Sequence, residues 1–424
     1  MPKRLAPAFA TSIVLLSIMI LAFFLGLYPS GQKESGRFKI HEVKKNVSSI
    51  QTTIAYIGTL DSLPCRIYLR KGDIRPLANK DYFFSKGTLR ERSKGHYIFK
   101  PESPWKPIEK SWSLAEWRFQ IKEKAKKKIH TRFKNPKVAA LLSGLATGNL
   151  ENPYLSYHFG AVGLAHLLAI SGFHFALLTF FLASILKRIL PEKLLALALI
   201  LLLGTYFFYM GGGPSISRAW IGVLLYLVGI LFGYRTTPLN ALGVALLFAL
   251  LSNPFVITNV GFQLSFGATL GIILFYSLFE ENLTSLLPKR PYSVLTEMSI
   301  LDQCGYILCA YLRKGLALQG SVLTFTLPLI LFHFETFPLI SLFYNLFVPF
   351  LFAALLALFL LHADIFAAPI ASFLITLVEG TPRKLLFKIN TMQTLILSSV
   401  ILGFVYWKSF RTRKKKSCKT SPSH

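Results

Sequence analysis

Apolar and polar positions follow two different rhythms along this chain. From Ala161 onwards long uncharged runs recur: Ala161–Ile185, Leu194–Met210, Ile216–Phe232, Leu239–Leu251, Val256–Phe279, Leu316–Phe334, Leu339–Leu361, Ile365–Val378 and Thr394–Trp407. An earlier run, Phe9 to Tyr28, follows Lys3 and Arg4. At about 1.5 Å per residue, a run of about 20 residues crosses the roughly 30 Å hydrocarbon core of a bilayer. The pattern therefore predicts a polytopic helical membrane protein. Three runs are short, so kinked or re-entrant segments are expected, and the span count is a range of about eight to eleven. The first run reads as an uncleaved anchor with a cytoplasmic N-terminus. A cleaved signal peptide is the competing reading, but the run is long for one and Leu27-Tyr28-Pro29-Ser30 is a poor small-residue cleavage site.

Between that anchor and Val138 the rhythm changes. Ile50–Ile57, Cys65–Leu69, Tyr82–Leu89 and His96–Phe99 are short β-branched or aromatic runs separated by Gly, Asp, Pro and Lys. They predict strands of a small β-barrel or sandwich over residues 30–110. Ser111 to Pro136 then predicts a basic helix, with Leu114, Trp117, Phe119, Ile121, Ile129 and Phe133 interleaved with Lys122, Lys124, Lys126, Lys127 and Lys128. Such a helix lies in a membrane interface against anionic lipid; a basic lip for nucleic acid is the sharper alternative.

Charge sharpens the division. The chain is 53% hydrophobic and only 16% charged, yet carries 47 Lys+Arg against 19 Asp+Glu. That excludes a disordered chain, a fibre and an ordinary cytosolic enzyme. Residues 30–137 hold 26 of the basic and 10 of the acidic residues, a net +16, and Lys408 to Lys419 adds seven more cations. A membrane protein this basic needs a polyanionic partner, either anionic lipid or nucleic acid. With residues 30–137 outside, Lys187, Arg188, Lys193, Arg235, Lys289, Arg290, Arg313 and Lys314 fall inside, as cytoplasmic loops require, and a long outer domain translocates regardless of its charge. Arg383, Lys384 and Lys388 fall outside, which leaves the C-terminal topology open. Cys65 is alone in the outer segment, so no disulfide closes within it, and Cys304 and Cys309 lack a nearby His for zinc.

Polar groups inside membrane segments are costly, so each is a functional candidate. In Gly163-Leu-Ala-His166-Leu-Leu-Ala-Ile-Ser171-Gly172-Phe173-His174 the two imidazoles stand at i and i+8, on one face of a continuous helix, with Ser171 in reach of His174. Hydrogen bonds to neighbouring helices and a pore-lining role are equally weighted. Gly211-Gly212-Gly213-Pro214-Ser215-Ile216-Ser217-Arg218 ends one span and starts the next, with Arg218 in the early turns of a helix whose N-terminus already favours anions. A snorkelling Arg beside a flexible turn is its plainer reading. In Gly261-Phe262-Gln263-Leu264-Ser265-Phe266-Gly267-Ala268-Thr269-Leu270-Gly271, Gly267 and Gly271 make a close-packing face, with Gln263 and Ser265 as uncharged hydrogen bonders. Asn345 and Pro349 break a further apolar run. No Walker A, G-x-S-x-G or H-E-x-x-H pattern occurs. The expectation is therefore a protein that is not an enzyme, with no catalytic residue, cofactor or metal, drawing energy from a partner or a gradient.

Taken in order, HLLAISGFH (His166–His174), GGGPSISRAW (Gly211–Trp220), SNPF (Ser252–Phe255), GFQLSFGATLGI (Gly261–Ile272) and YNLFVP (Tyr344–Pro349) resemble the channel domain of the ComEC-type competence proteins, strongly over residues 138–360. The β-rich segment looks like that family's OB-like outer domain. The resemblance implies a multi-pass protein of the bacterial cytoplasmic (inner) membrane that passes single-stranded DNA during natural transformation. It implies a separate DNA receptor, nuclease and cytoplasmic motor as partners. His166, Ser171, Gly172, His174, Arg218, Gln263, Ser265 and Asn345 are carried over as pore or scaffold residues, with Gly211, Gly212 and Gly213 as the helix break. Many members carry a C-terminal metallo-β-lactamase-like domain; this chain stops at His424, so nuclease activity is not expected. The family's acidic-Pro dipeptide is Asn253-Pro254 here.

Single strands bind positive grooves lined with aromatics, often on OB-folds. Arg66, Arg70, Lys71, Lys86 and Arg90 are the expected DNA-binding cations of the outer domain, among Tyr56, Tyr68, Tyr82, Phe83, Phe84, Tyr97, Phe99 and Trp105, several of which core packing must claim. Two other functions fit the pattern less fully. A secondary transporter or channel for a small anion or lipid-linked intermediate would use the same broken spans. A membrane scaffold with a basic binding module would leave the buried His, Ser and Arg unexplained.

Overall fold

A computed structural model of the chain describes residues 7–25, 35–47, 52–61, 63–69, 75–93, 96–110, 113–169, 172–381, 386–388, 393 and 403. It is a polytopic helical membrane protein carrying a β-rich domain. The expected span Thr394–Trp407 and the basic tail lie outside the described residues. Two compact units are present, Met1–Phe262 with Pro349–Thr381, and Gln263–Val348 with Pro382–His424.

In the first unit, helix α1 (Pro7–Phe24) precedes seven strands: β1 (Gly36–Val47), β2 (Thr52–Leu60), β3 (Leu63–Tyr68), β4 (Lys80–Phe84), β5 (Gly87–Ser93), β6 (His96–Pro101) and β7 (Lys106–Lys110). They form one sheet in the order β5-β6-β3-β2-β1-β4-β7. Long β1 pairs antiparallel with both β2 and β4, whereas β3 pairs parallel with β6. That path, one long strand shared by both halves of a curled sheet, is compatible with an OB-like barrel. Alternation builds its core: Phe38, Ile40, Tyr56, Leu60, Ile67, Phe84 and Phe99 point inward and are essentially inaccessible. Trp105 packs edge-on against Tyr82 and Phe84, ring centroids 5.0 Å apart in both pairs. Gly58 is forced, because a Cβ there would lie 2.1 Å from the Lys39 carbonyl oxygen where β1 shifts register. β1, with three Lys, an Arg and a Glu among its 12 residues, and β7 were not among the expected strands. The expected run Tyr82–Leu89 is two strands, split after Phe84.

Helix α2 (Leu114–Arg132) follows, capped by Ser113, then α3 (Pro136–Thr147), with Asn135 as N-cap and left-handed Gly148 ending it. α2 does not present a simple basic face. Lys124, Lys127, Lys128 and His130 are exposed, but Lys126 is buried between Glu123 and Glu151. Glu116 is buried and takes both Nη groups of Arg75, the Ala78 N–H at 2.9 Å and the Gln120 amide at 3.1 Å. Within this unit the helix acts as a strut.

The remaining helices of this unit are α4 (Pro153–Ala161), α5 (Ala165–Leu168), α6 (Gly172–Leu186), α7 (Glu192–Met210), α8 (Pro214–Phe232) and α9 (Pro238–Ser252), with a 3-10 turn at Pro254–Thr258. α1 packs along α9, with Ser12 fully buried and Gly243 leaving room for the Phe9 backbone. The second unit begins within α10 (Val260–Leu286) and continues through α11 (Tyr292–Glu297), α12 (Ile300–Phe334), strand β8 (Thr336–Pro338) and the start of α13 (Ile340–Leu360). α14 (Asp364–Glu379) belongs to the first unit, and β9 (Leu386–Lys388) pairs with β8 in the second. Both ends of α14 are tied, by Arg132 to Asp364 and by Lys137 to Glu379 at 2.7 Å. Among the described residues, α7, α8, α10, α12 and α13 are long and apolar enough to cross a membrane, and α1, α6 and α9 are shorter apolar helices.

Candidate functional site

The HLLAISGFH segment is not the continuous helix expected from its spacing. α5 is one turn long and ends at Ala169 in extended backbone (φ −77°, ψ 133°), and α6 starts at Gly172. The two imidazoles therefore stand on different helices. His166 is exposed, its Nδ1 3.1 Å from the Gly163 carbonyl oxygen. His174, in the first turn of α6, is 3% exposed and meets the Phe352 ring edge-on at 6.0 Å. Ser171, with Ile170, lies outside the described residues.

Arg218 comes to this break from α8. A Cβ on Gly172 would lie 2.9 Å from Arg218 Nη2, so the guanidinium sits directly over the glycine. Its helix starts by construction rather than by capping: Pro214 occupies the first turn, Gly213 precedes it, and among the described residues no side chain caps it. Gly211 closes α7 at φ +94°, a conformation that an L side chain rarely adopts. The three glycines thus turn one span into the next.

The β-rich domain and α2 meet this turn. Lys122 Nζ donates to the Met210 carbonyl at 2.8 Å, capping α7, and lies 5.8 Å from the Tyr209 ring centre. Burial lowers the Lys122 amine to about 8, with Lys44, Arg118 and Lys126 adding to the effect and Glu42 opposing it. Asn149 Nδ2 donates to the Lys45 carbonyl at 3.1 Å. Between these elements is a cavity of about 200 Å³, lined by Lys44 and Lys45 of β1, Lys122 and Lys126 of α2, Ala169 after α5 and Ser215 of α8. The lysines of the lining are already engaged within the protein: Lys44 pairs with Glu42 at 3.3 Å and Lys45 with Glu123 at 3.8 Å, while Lys126 is held by Glu123 and Glu151.

The second unit holds the other candidates. Gln263 Oε1 accepts from His333 Nε2 at 2.7 Å, bridging α10 and α12. His333 was not singled out from the sequence; its spacing from any motif gives no signal. Ser265 is half-buried in α10. The expected close face is present: a Cβ on Gly271 would lie 2.2 Å from the Ser321 carbonyl oxygen and one on Gly267 3.4 Å from Leu329 Cδ1. Asn345 Oδ1 is buried and finds no hydrogen-bond partner among the described residues. Pro349, lacking an N–H, also deprives the Asn345 carbonyl of its helical donor. Nearby carbonyls of α13 are covered from α12, Leu346 by the Tyr311 hydroxyl and Leu342 by the Gln319 amide at 3.0 Å.

Of the outer-domain cations, Arg66, Lys86 and Arg90 are exposed, and Lys86 pairs with Glu102 at 3.6 Å. Arg70 and Lys71 lie outside the described residues. The aromatics are mostly spent on the core: Tyr56, Tyr82, Phe84, Tyr97 and Phe99 are buried, while Phe83 is exposed and Tyr68 half-buried. Burial raises the Tyr56 hydroxyl's pKa, and the hydroxyl donates to the Pro76 carbonyl at 2.6 Å.

Residues 147–409, well over half of the chain, match the family model described as competence protein. ComE operon protein 3 of Bacillus subtilis (strain 168) is 34% identical over 191 residues, which is 45% of this chain and 21% of that protein. The chain thus aligns with about a fifth of that relative's length. No solved structure matches it.

Proposed function

This chain belongs to the competence-protein family, and from that premise we propose that it conducts single-stranded DNA across the cytoplasmic membrane during natural transformation. The observation that carries the proposal is the contact between Gly172 and Arg218. It joins the two most polar motifs of the family-matched region at a helix break, beside a cation-lined cavity reached from the outer domain. A single strand offers one phosphate per nucleotide, and cations with free helix-end donors hold such groups without reading sequence.

In this reading Arg66, Lys86 and Arg90 gather the strand electrostatically. Stacking contributes little, because the domain's aromatics are largely buried. Arg218 and the α8 N-terminus then hold phosphates at the break. Gln263 with His333, and Asn345, support the helices of the second unit. The chain acts as a conduit and not as an enzyme, with a separate receptor, nuclease and cytoplasmic motor supplying capture, strand removal and energy. The exposed lysines of α2 rest against anionic lipid.

The test is uptake of labelled DNA into the cytoplasm of a deletion strain complemented with wild type, Arg218→Ala or Arg218→Lys. Loss of uptake on deletion, with Arg218→Ala reduced and Arg218→Lys partly retained, is expected. Wild-type uptake in the deletion strain would overturn the function, whereas normal uptake with Arg218→Ala would overturn only the site.

A further inference from the structure

α12 has 35 residues, on the order of 50 Å of helix against a roughly 30 Å hydrocarbon core. The surplus is at its N-terminal end, ahead of Arg313 and Lys314, and that part is two-faced. Ile300, Leu301, Cys304, Ile307 and Leu308 are all exposed and form one stripe at spacings i, i+1, i+4, i+7 and i+8. The opposite side is polar and folded back on α11: Gln303 Nε2 donates to the carbonyls of Leu295 at 3.0 Å and Met298 at 3.1 Å. An apolar stripe over a polar, braced face is the form of a helix lying in the membrane interface.

Three cations, Lys289, Arg313 and Lys314, gather where this segment meets the end of α10. Lys289 Nζ pairs with Glu280 at 2.9 Å. Arg313 and Lys314 both lie within electrostatic reach of that carboxylate. The Arg290 N–H donates to the Tyr306 hydroxyl oxygen at 3.2 Å, which fixes the connector across α12. Arg313 is only 2% exposed. Its Nη1 donates to the Leu287 carbonyl at 2.8 Å, but its Nε finds no hydrogen-bond partner among the described residues. So buried a guanidinium does not touch a ligand itself; it adds positive potential behind the exposed Lys289 and Lys314.

We propose that Lys289 and Lys314, with Arg313 buried behind them, bind the phosphate of an anionic phospholipid headgroup, with its acyl chains along the Ile300–Leu308 stripe. The stripe decides between sources of phosphate. Free phosphate or a nucleic-acid strand would use the cations and leave the apolar residues in water, whereas a lipid uses both. The site requires only that the chain be a membrane protein, so it stands or falls separately from DNA transport.

The experiment titrates the full chain, purified in neutral detergent, with fluorescent phosphatidylglycerol and phosphatidylcholine, reading anisotropy. Wild type is expected to prefer phosphatidylglycerol. Lys289→Gln with Lys314→Gln, both exposed side chains, should weaken that binding about fivefold for each cation removed and leave phosphatidylcholine unchanged. Lys124→Gln with Lys127→Gln on α2 should change neither. The proposal is overturned by absence of preference in wild type, by unchanged binding in the Lys289/Lys314 variant, or by an equal loss in the α2 variant. Competing inorganic phosphate or oligothymidylate should leave the lipid bound; displacement by millimolar phosphate or micromolar oligonucleotide would reassign the cluster to free phosphate or a strand.

Discussion

Gly172→Ala tests the contact at the helix break without removing a charge. The added Cβ would lie 2.9 Å from Arg218 Nη2, 3.8 Å from its Cζ and 3.9 Å from Ala219 Cβ. Ordinary carbon–nitrogen contact is about 3.4 Å or more, so the guanidinium must retreat by about 0.5 Å or change rotamer. The atom that yields is the far end of a flexible side chain, not backbone, so the fold absorbs the change at about 1 kcal/mol. Alanine's helix preference of about 1 kcal/mol over glycine offsets it. Thermal stability of the purified chain should therefore shift by only about 2–3 °C. Anion contact is less forgiving. Losing one charge-assisted hydrogen bond costs about 1.5–3 kcal/mol, which is about tenfold to a hundredfold in occupancy of the site. Labelled-DNA uptake should fall by about tenfold or more. Arg218→Ala should fall similarly, and the double variant should match Arg218→Ala alone, since residue 172 acts only through the guanidinium. Uptake within about twofold of wild type for Gly172→Ala, or a double variant whose loss is the product of the single losses, would refute this chain of reasoning.

Three further outcomes follow from the geometry. Burial pushes the Glu116 carboxyl up, but hydrogen bonds from Arg75, the Ala78 N–H and Gln120, with the Arg75 charge, more than reverse it and hold it below its ordinary value. Its stabilisation is therefore full above the ordinary carboxylate pKa and lost as pH falls through the depressed folded value. Glu116→Gln should cost about 3 kcal/mol at neutral pH, narrowing in acid, read as hydrogen-exchange protection of the β-rich domain. Lys122, lowered to about 8 by burial, gives the same sign of slope in an alkaline window. Its charged form is disfavoured on folding, so stability should rise from about pH 8 towards the unfolded value near 10.4, and Lys122→Met should flatten that rise in thermal unfolding. Gly271→Val places a side chain 2.2 Å from the Ser321 carbonyl oxygen. Backbone on both sides must move, so a loss of about 3 kcal/mol and reduced yield are expected, while Gly267→Ala should be mild.

The spans were legible because a bilayer imposes a length that composition alone can meet. α7, α8, α9, α13 and α14 lie within two residues of the expected runs, and they reach outward where Pro214, Thr237 and Pro238 start a helix more polar than its core. Much of the β-rich domain was legible for the converse reason: β2, β3 and β6 are short β-branched or aromatic runs bounded by Gly, Asp, Pro and Lys. β1 escaped because its inward Phe38, Ile40 and Val43 are separated by Arg, Lys, His and Glu, and the charge obscured a regular alternation. The break at Ala169–Gly172 escaped for a different cause. Periodicity places residues on a face only while the helix continues, and nothing in the i, i+4, i+8 spacing of His166, Ile170 and His174 says where it stops. What occupies the start of α6 is likewise tertiary: Arg218, forty-six residues away in sequence, takes the volume beside Gly172 that a side chain would need. The same holds for Lys122, whose carbonyl partner is Met210, and for His333 and Gln263. Polar residues within apolar runs were visible as anomalies, but their roles depend on partners that only the packed chain supplies. The glycines made the link readable in retrospect. Gly172, Gly211 and Gly271 each stand where a side chain would be crowded or the backbone unfavourable, so in a chain this apolar a glycine beside a polar motif marks a close approach, and the residue that approaches it is the one to mutate.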